Sequence, residues 1–251
     1  AKIMDDLFWK QAYGDKEALL SLIEDEELRN YAEINYGPWD RLDGDKPFID
    51  GVEEKLLGSG YYPVDITKEE FEAWDQPAKT SQYTIIRRSE NRDLTVVWYH
   101  ELYATEVNRA ADLLDSAANI IEEAGFKTYL IERAKALRTD DYYASDIAWM
   151  DMTENSLDFI IGPIENYEDK LYNYKAAHEA YVLVKDKVWS ERLAKYAILL
   201  PQLQEGLPVP AEYKTETPGG DSQLGAYDVV FYAGDCNAGS KTIAVNLPND
   251  E

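Results

Sequence analysis

Apolar positions recur at helical spacing over residues 16–34, where Leu19, Leu20, Ile23 and Leu28 share a face and Glu24 to Glu27 point to water. Asp15 stands where an N-cap belongs. Residues 83–88 and 94–99 are β-branched and aromatic runs joined by Ser-Glu-Asn-Arg-Asp, which predicts a hairpin. The period is helical again over 105–123, with Ala110, Leu113, Leu114, Ala117, Ile120 and Ile121 as the buried stripe and Gly125 as the C′ residue. Helices over 127–138 and 141–151 follow at once, and such short links make antiparallel neighbours. Runs 157–164 and 177–184 predict strands. Asp186 then caps a helix through Trp189, Leu193, Tyr196 and Leu200 that ends near Pro201. Residues 227–233 and 241–247 are strand-like, and the Gly- and Pro-punctuated stretches 36–63 and 206–220 predict loops, the second a hinge or surface connection. Strands and helices come in mixed order, so the expected class is α+β rather than a doubly wound sheet.

The chain has 251 residues, enough for one large domain or two small ones, and 45% are hydrophobic, enough for a real core. Its 25 basic and 49 acidic side chains give a net charge of −24. That field repels nucleic-acid backbones and anionic membrane surfaces. It keeps a protein soluble, and it also favours cationic ligands such as a free amino terminus. Cys236 is the sole cysteine, so no intrachain disulfide forms. A cytoplasmic location is expected, although a periplasmic protein without disulfides would look the same. No apolar run approaches the roughly 18 residues needed to span a bilayer. Ala1 to Met4 resemble neither a signal peptide nor a native start, so trimming of the N-terminus is expected.

The candidate chemistry is sparse. His100-Glu101 and His178-Glu179 each begin the helical zinc motif H-E-x-x-H, but Ala104 and Val182 stand where the second histidine belongs. One residue further on are Thr105 and Leu183. Both histidines are therefore expected to be structural. Asp40, Asp43 and Asp45 suggest calcium, yet Leu42 and Gly44 break the EF-hand pattern. No G-x-S-x-G elbow is present, Gly58-Ser59-Gly60 reads as a turn, and Cys236 has no histidine beside it in sequence. Glu165 with Glu168 or Asp169 could serve glycoside chemistry, but acids are abundant enough to fall together by chance. Two segments remain. Ile161 to Asp169 leaves a strand through Gly162-Pro163 and presents Glu165, Asn166 and Tyr167 in succession. Val245 to Asp250 sets Asn246 and Asn249 around Pro248. Asparagine pairs of this kind either grip a peptide backbone or make a turn.

These segments resemble the dipeptidyl-peptidase III family. Ile161-Gly-Pro-Ile-Glu-Asn-Tyr-Glu-Asp169 is similar to its I-G-F-I-E-S-Y-R-D signature, and Glu179-Ala-Tyr-Val182 to its E-G-F-V strand. Val245-Asn-Leu-Pro-Asn-Asp250 resembles I-N-I-P-N-Y-D-D, while the runs Tyr36 to Arg41 and Tyr232 to Ser240 look like the bacterial branch. Glu168 replaces the usual arginine and Pro163 an aromatic residue.

The resemblance implies a two-lobed zinc exopeptidase that removes dipeptides from peptide N-termini. This chain would be mainly its substrate-binding lobe, with helices packed on a small β-barrel or antiparallel-rich sheet. Residues 1–187 would form the main lobe, 188–225 a helical excursion toward the zinc lobe, and 226–251 the returning strands. The family's H-E-x-x-G-H and E-E-x-R-A-[ED] zinc motifs are absent from these residues. An N-terminal fragment, inactive alone and holding no zinc ligand, is therefore expected, its partner being the C-terminal zinc lobe of the same polypeptide. By position Glu165 would bind the substrate's free amine, and Asn246 and Asn249 its backbone. Tyr167 would be the catalytic residue that reaches the scissile carbonyl. The strand from Lys241 through Ala244 and Val245 would take the oligopeptide by β-augmentation. A non-catalytic peptide-binding module and a carbohydrate-binding surface protein are the alternatives.

Overall fold

A computed structural model describes residues 1–214 and 224–245. Helix α1 (Lys2–Ala12), unassigned by the pattern analysis, is the most deeply seated element near the start. It buries Met4, Leu7, Phe8, Trp9 and Gln11, the i, i+3, i+4, i+7 spacing of a core-facing stripe. The single helix expected over 16–34 is two, α2 (Lys16–Ser21) and α3 (Glu26–Asn35). The cause is a second cap. Asp25 accepts a hydrogen bond from the Leu28 amide at 2.8 Å, as Asp15 does from Ala18 at 3.0 Å. Arg29 fixes the bend by donating to the Ile23 carbonyl at 2.6 Å.

A minimal ladder, β1 (Trp39–Asp40) with β2 (Lys46–Pro47), closes the acidic turn. Its acids are used locally: Asp40 accepts from the Leu42 amide, Asp43 pairs with Lys46, and Asp45 pairs with Lys170. The short helix α4 (Lys68–Ala73) precedes the expected hairpin, β3 (Thr84–Arg88) with β4 (Leu94–Trp98), in register Thr84 to Trp98. After α5 (Tyr99–Leu102), the helices α6 (Ala104–Ala118), α7 (Ala124–Thr139) and α8 (Tyr143–Met150) pack in sequence as the short links required. Helix α6 stops at Ala118, short of the expected 123. Ile120 and Leu113, assigned to the buried stripe, are exposed. Gly125 is no C′ residue but lies in the first turn of α7, close against Met152.

Three antiparallel strands form the main sheet, β5 (Leu157–Glu165), β6 (Ala177–Lys185) and β7 (Tyr227–Ala233), with β6 central. One face sends Ile161, Ala180 and Ala233 into the large core shared with α6, α7 and the hairpin. The other gathers Ile160, Ile164, Tyr181, Leu183 and Cys236. A third cluster joins Phe8 and Trp9 of α1 to α2 and α3. Asp186 caps α9 (Lys187–Ala197) as expected, but Pro201 lies in the first turn of α10 (Leu200–Glu205) instead of ending a helix, where a missing amide hydrogen costs no intrahelical bond. The α+β class holds. The sheets are small and antiparallel, and among the described residues none closes into a barrel. Residues 241–245, expected as a strand, pair with no ladder. The Thr242 amide instead donates to the Cys236 carbonyl at 2.9 Å, and the Thr242 carbonyl accepts from the Tyr232 hydroxyl at 3.1 Å.

Candidate functional site

The sheet's central strand carries an acid where an apolar residue would pack. Glu179 lies between Ala177 and Tyr181 on β6, opposite Gly162 of β5, and is fully buried. Alternation puts it on the same face as Tyr181 and Leu183. Glu165 ends β5 at a ladder irregularity that follows Pro163, which lacks an amide hydrogen to continue the ladder. Asp235 opens the turn after β7. It is brought in by Gly234, whose φ of +93° suits glycine and whose missing Cβ leaves room for the His178 carbonyl; a Cβ would sit 2.6 Å from that oxygen and 2.8 Å from Glu179 Cγ.

Carboxylate oxygens of Glu165, Glu179 and Asp235 lie within 4.8 Å of one another. Like charges this close in a partly dry site resist ionisation. Burial, then the charges of Asp235 and Glu165, pushes the Glu179 carboxyl well above the usual range. Burial and the charge of Glu168 raise Asp235 to about 6 against the pull of Arg41, Lys55 and Lys170. Burial, then Asp235, raises Glu165. One Glu179 oxygen accepts from the Cys236 amide at 3.3 Å, and the other has no hydrogen-bond partner among the described residues. The nearest fixed cation is Arg41, whose guanidinium is 3.8 Å from Asp235 but 2.6 Å from Glu168.

Glu168, the departure from the family signature, explains where that arginine goes. Its buried carboxylate accepts from Arg41, from Lys55 at 2.6 Å and from Ser59 at 2.7 Å. Burial alone would raise it, but these charges prevail and hold it at about 2. Asp169 next to it accepts the amides of Leu171, Tyr172, Tyr174 and Lys175 and the Tyr62 hydroxyl, folding the β5–β6 connection. Neither acid is free to pair with Glu165 in glycoside chemistry.

Among the sequence candidates, Glu165 enters the cluster and Tyr167 stands exposed two residues beyond it. Ala244 and Val245 line a separate cavity of about 700 Å³ with Trp149, Tyr181 and Tyr232. Asn246 and Asn249 lie outside the described residues. Glu179 and Asp235 were not among the candidates. The signal for Glu179 was available, since a carboxylate in the run Ala-His-Glu-Ala-Tyr-Val-Leu-Val contradicts its burial. Asp235 is placed by a glycine turn that no pattern predicts.

The residues present do not fit zinc. His100 Nδ1 bonds Asp140 at 2.8 Å, and His178 is enclosed by Tyr99 and Tyr103 with neither ring nitrogen bonded to a described residue. The sole group of donors among the described residues that could hold an ion is all carboxylate, whereas zinc sites in peptidases include histidine.

Comparison with known proteins bears out the resemblance drawn from the motifs. No family model matches the chain. The curated relative Nudix hydrolase 3 of Arabidopsis thaliana is 30% identical in an alignment that covers all of this chain and 40% of that protein. The structure of DPP III from Caldithrix abyssi is 42% identical with a TM-score of 0.90, covering 100% of this chain and 50% of its own. DPP III from Corallococcus sp. strain EGB is 39% identical with a TM-score of 0.86, covering 99% and 48%. The chain thus spans about half the length of these structures.

Proposed function

We propose, for a chain similar to dipeptidyl-peptidase III along its whole length, that it is the part of a dipeptidyl-peptidase that captures the amino end of an oligopeptide. The observation that supports this is the Glu165, Glu179 and Asp235 cluster, three carboxylates whose one ion-paired cation among the described residues is Arg41, 3.8 Å from Asp235 and bonded more closely to Glu168. An ammonium group relieves their mutual repulsion and offers three donors to oxygens that include the unpartnered one of Glu179. Fixing the amine at one end sets how many residues reach the scissile bond, which is how a dipeptide becomes the product. Tyr167, two residues past Glu165, is proposed to meet the scissile carbonyl, and Asn246 and Asn249 to hold the backbone before it. The part of the sheet edge near Ala244 and Val245 is proposed to guide the peptide. The chain's own residues bind and orient, and the zinc of such an enzyme would be held by residues outside this chain.

The test uses the full-length protein that carries this chain and a fluorogenic dipeptidyl substrate. Glu165→Gln is expected to raise KM at least tenfold, with a smaller change in kcat. Acetylating the substrate's amine should abolish turnover by the wild type. Equal turnover of acetylated and free substrates would overturn amine capture, and peptide binding without any cleavage would favour a non-catalytic binding module.

A further inference from the structure

A large concavity lies away from the acidic cluster. It lies between the end of α1, the loop over residues 53–65 and strand β3, measures about 990 Å³, and is lined by none of Glu165, Glu179 or Asp235. Small-molecule sites typically occupy roughly 300–1,000 Å³. Part of its wall is apolar and turned to water: Val64 is 79% exposed, and Leu56 and Tyr13 are also exposed. Trp39 packs against Tyr13 with ring centres 5.7 Å apart, and its indole is fixed by donation to the Glu53 carbonyl at 2.9 Å.

Four bases line this cleft in a protein whose net charge is −24. Three have carboxylate partners: Lys55 pairs with Glu168, Arg88 with Asp65 and Glu70, and Arg92 with Asp65. Arg87 has none. Its Nη1 donates to the carbonyls of Gly60 at 2.9 Å and Ile86 at 3.0 Å, and Nε and Nη2 make no hydrogen bond to a described residue. Two carbonyls hold the group in place without neutralising it. Burial lowers its affinity for its proton, and no carboxylate offsets that. A partly buried charge in this state is stabilised by a counter-ion, and a guanidinium with two free donor positions grips a planar oxyanion best.

We propose that this cleft is a second ligand site, taking a small organic monoanion whose flat apolar body lies on Val64, Tyr13 and Trp39 and whose charged end meets Arg87. Of the three exposed acids on the lining, Asp65 is paired with Arg88 and Arg92, and Glu53 and Glu54, with no ion pair to a described residue, set the charge. A second negative charge on the ligand would be repelled by them, so a carboxylate is preferred to a phosphate dianion.

Titration calorimetry on the full-length protein that carries this chain decides the matter, with 2-naphthoate, the neutral 2-naphthalenemethanol and 2-naphthyl phosphate as probes. Naphthoate is expected to bind at least tenfold more tightly than either of the others. Arg87→Gln should weaken naphthoate at least tenfold and leave the alcohol unchanged. Val64→Glu, at a position too exposed to disturb folding, should abolish naphthoate binding by adding an acid to the wall. Absence of naphthoate binding, equal binding of the alcohol, or unchanged binding by either variant overturns the site. Tighter binding of the phosphate overturns the monoanion assignment.

Discussion

Asp235 shows what a cluster of buried carboxylates costs its protein. Its carboxyl titrates at about 6 when folded, above the ordinary value near 3.8. From about pH 4 to about 6 the native state therefore keeps a proton that the unfolded chain has released. This contribution to stability is full at low pH and disappears as pH rises through that window, leaving the folded protein at neutral pH with an ionised carboxylate its surroundings disfavour. Moving the carboxyl from near 3.8 to about 6 corresponds to on the order of 3 kcal/mol. Asp235→Asn should accordingly melt several degrees above the wild type at pH 7.5, with the gap closing by pH 4, as followed by circular dichroism. Equal melting at pH 7.5 would contradict the strain. Glu165, legible in the sequence through its motif, is half-exposed and pays less. Glu179 and Asp235 carry more of the strain and are not legible as site residues, because a sequence shows that an acid is present but not that three strands and a turn bring it to two others.

Among the elements, the turn after β7 does the assembling. Gly234 lies against the β6 backbone at a distance no side chain permits. Gly234→Ala must either push β7 away from β6 or accept a positive φ and a clash together, at a cost of about 3 kcal/mol or more. The variant should lose at least ten degrees in Tm, and it should weaken amine binding beyond what Asp235→Asn does, since it displaces the turn and does not merely neutralise it. A Tm within two degrees of the wild type would show that the turn relaxes freely. Other elements were legible to different degrees for physical reasons. The hairpin, β5, β6 and β7 combine β-branched runs with clear turn residues, and they appear within a residue or two of expectation. Helices were harder to delimit. Asp25 was read as part of a polar face when it is a cap, and the end of α6 was overrun because Ile120 and Ile121 continue the period past the hydrogen-bonded turns. Helix α1 is not legible although Met4, Leu7, Phe8 and Gln11 carry the spacing, since the polar Gln11 on the buried face interrupts the apolar stripe. Residues 241–245 have strand-like composition, but the Cys236 carbonyl and the Tyr232 hydroxyl take the backbone groups that a ladder would have used.

For the whole molecule, the charge of −24 and the carboxylate cluster would act on the cationic peptide proposed as ligand over different ranges. The overall field draws the ligand in from beyond contact and is screened over about 8 Å at physiological salt, whereas the cluster acts at hydrogen-bond distance and is screened little. Salt and pH should therefore separate the two. Raising ionic strength from 20 to 500 mM should raise KM for a free-amine peptide several-fold through slower association, in the wild type and in Asp235→Asn alike. Lowering pH from 7.5 to 5 should raise KM in the wild type, because Asp235 gains a proton through about 6 and the cluster loses negative charge as the amine stays cationic. In Asp235→Asn that pH step should shrink markedly while the salt dependence persists, a pattern read from KM measured over a grid of salt and pH. If both dependences vanished together in the variant, the general acidity would play no part in recognition, and the cluster alone would account for it. If both persisted unchanged, Asp235 would not be the group whose ionisation governs capture, and the weight would pass to Glu165, the remaining cluster member with partial access to solvent.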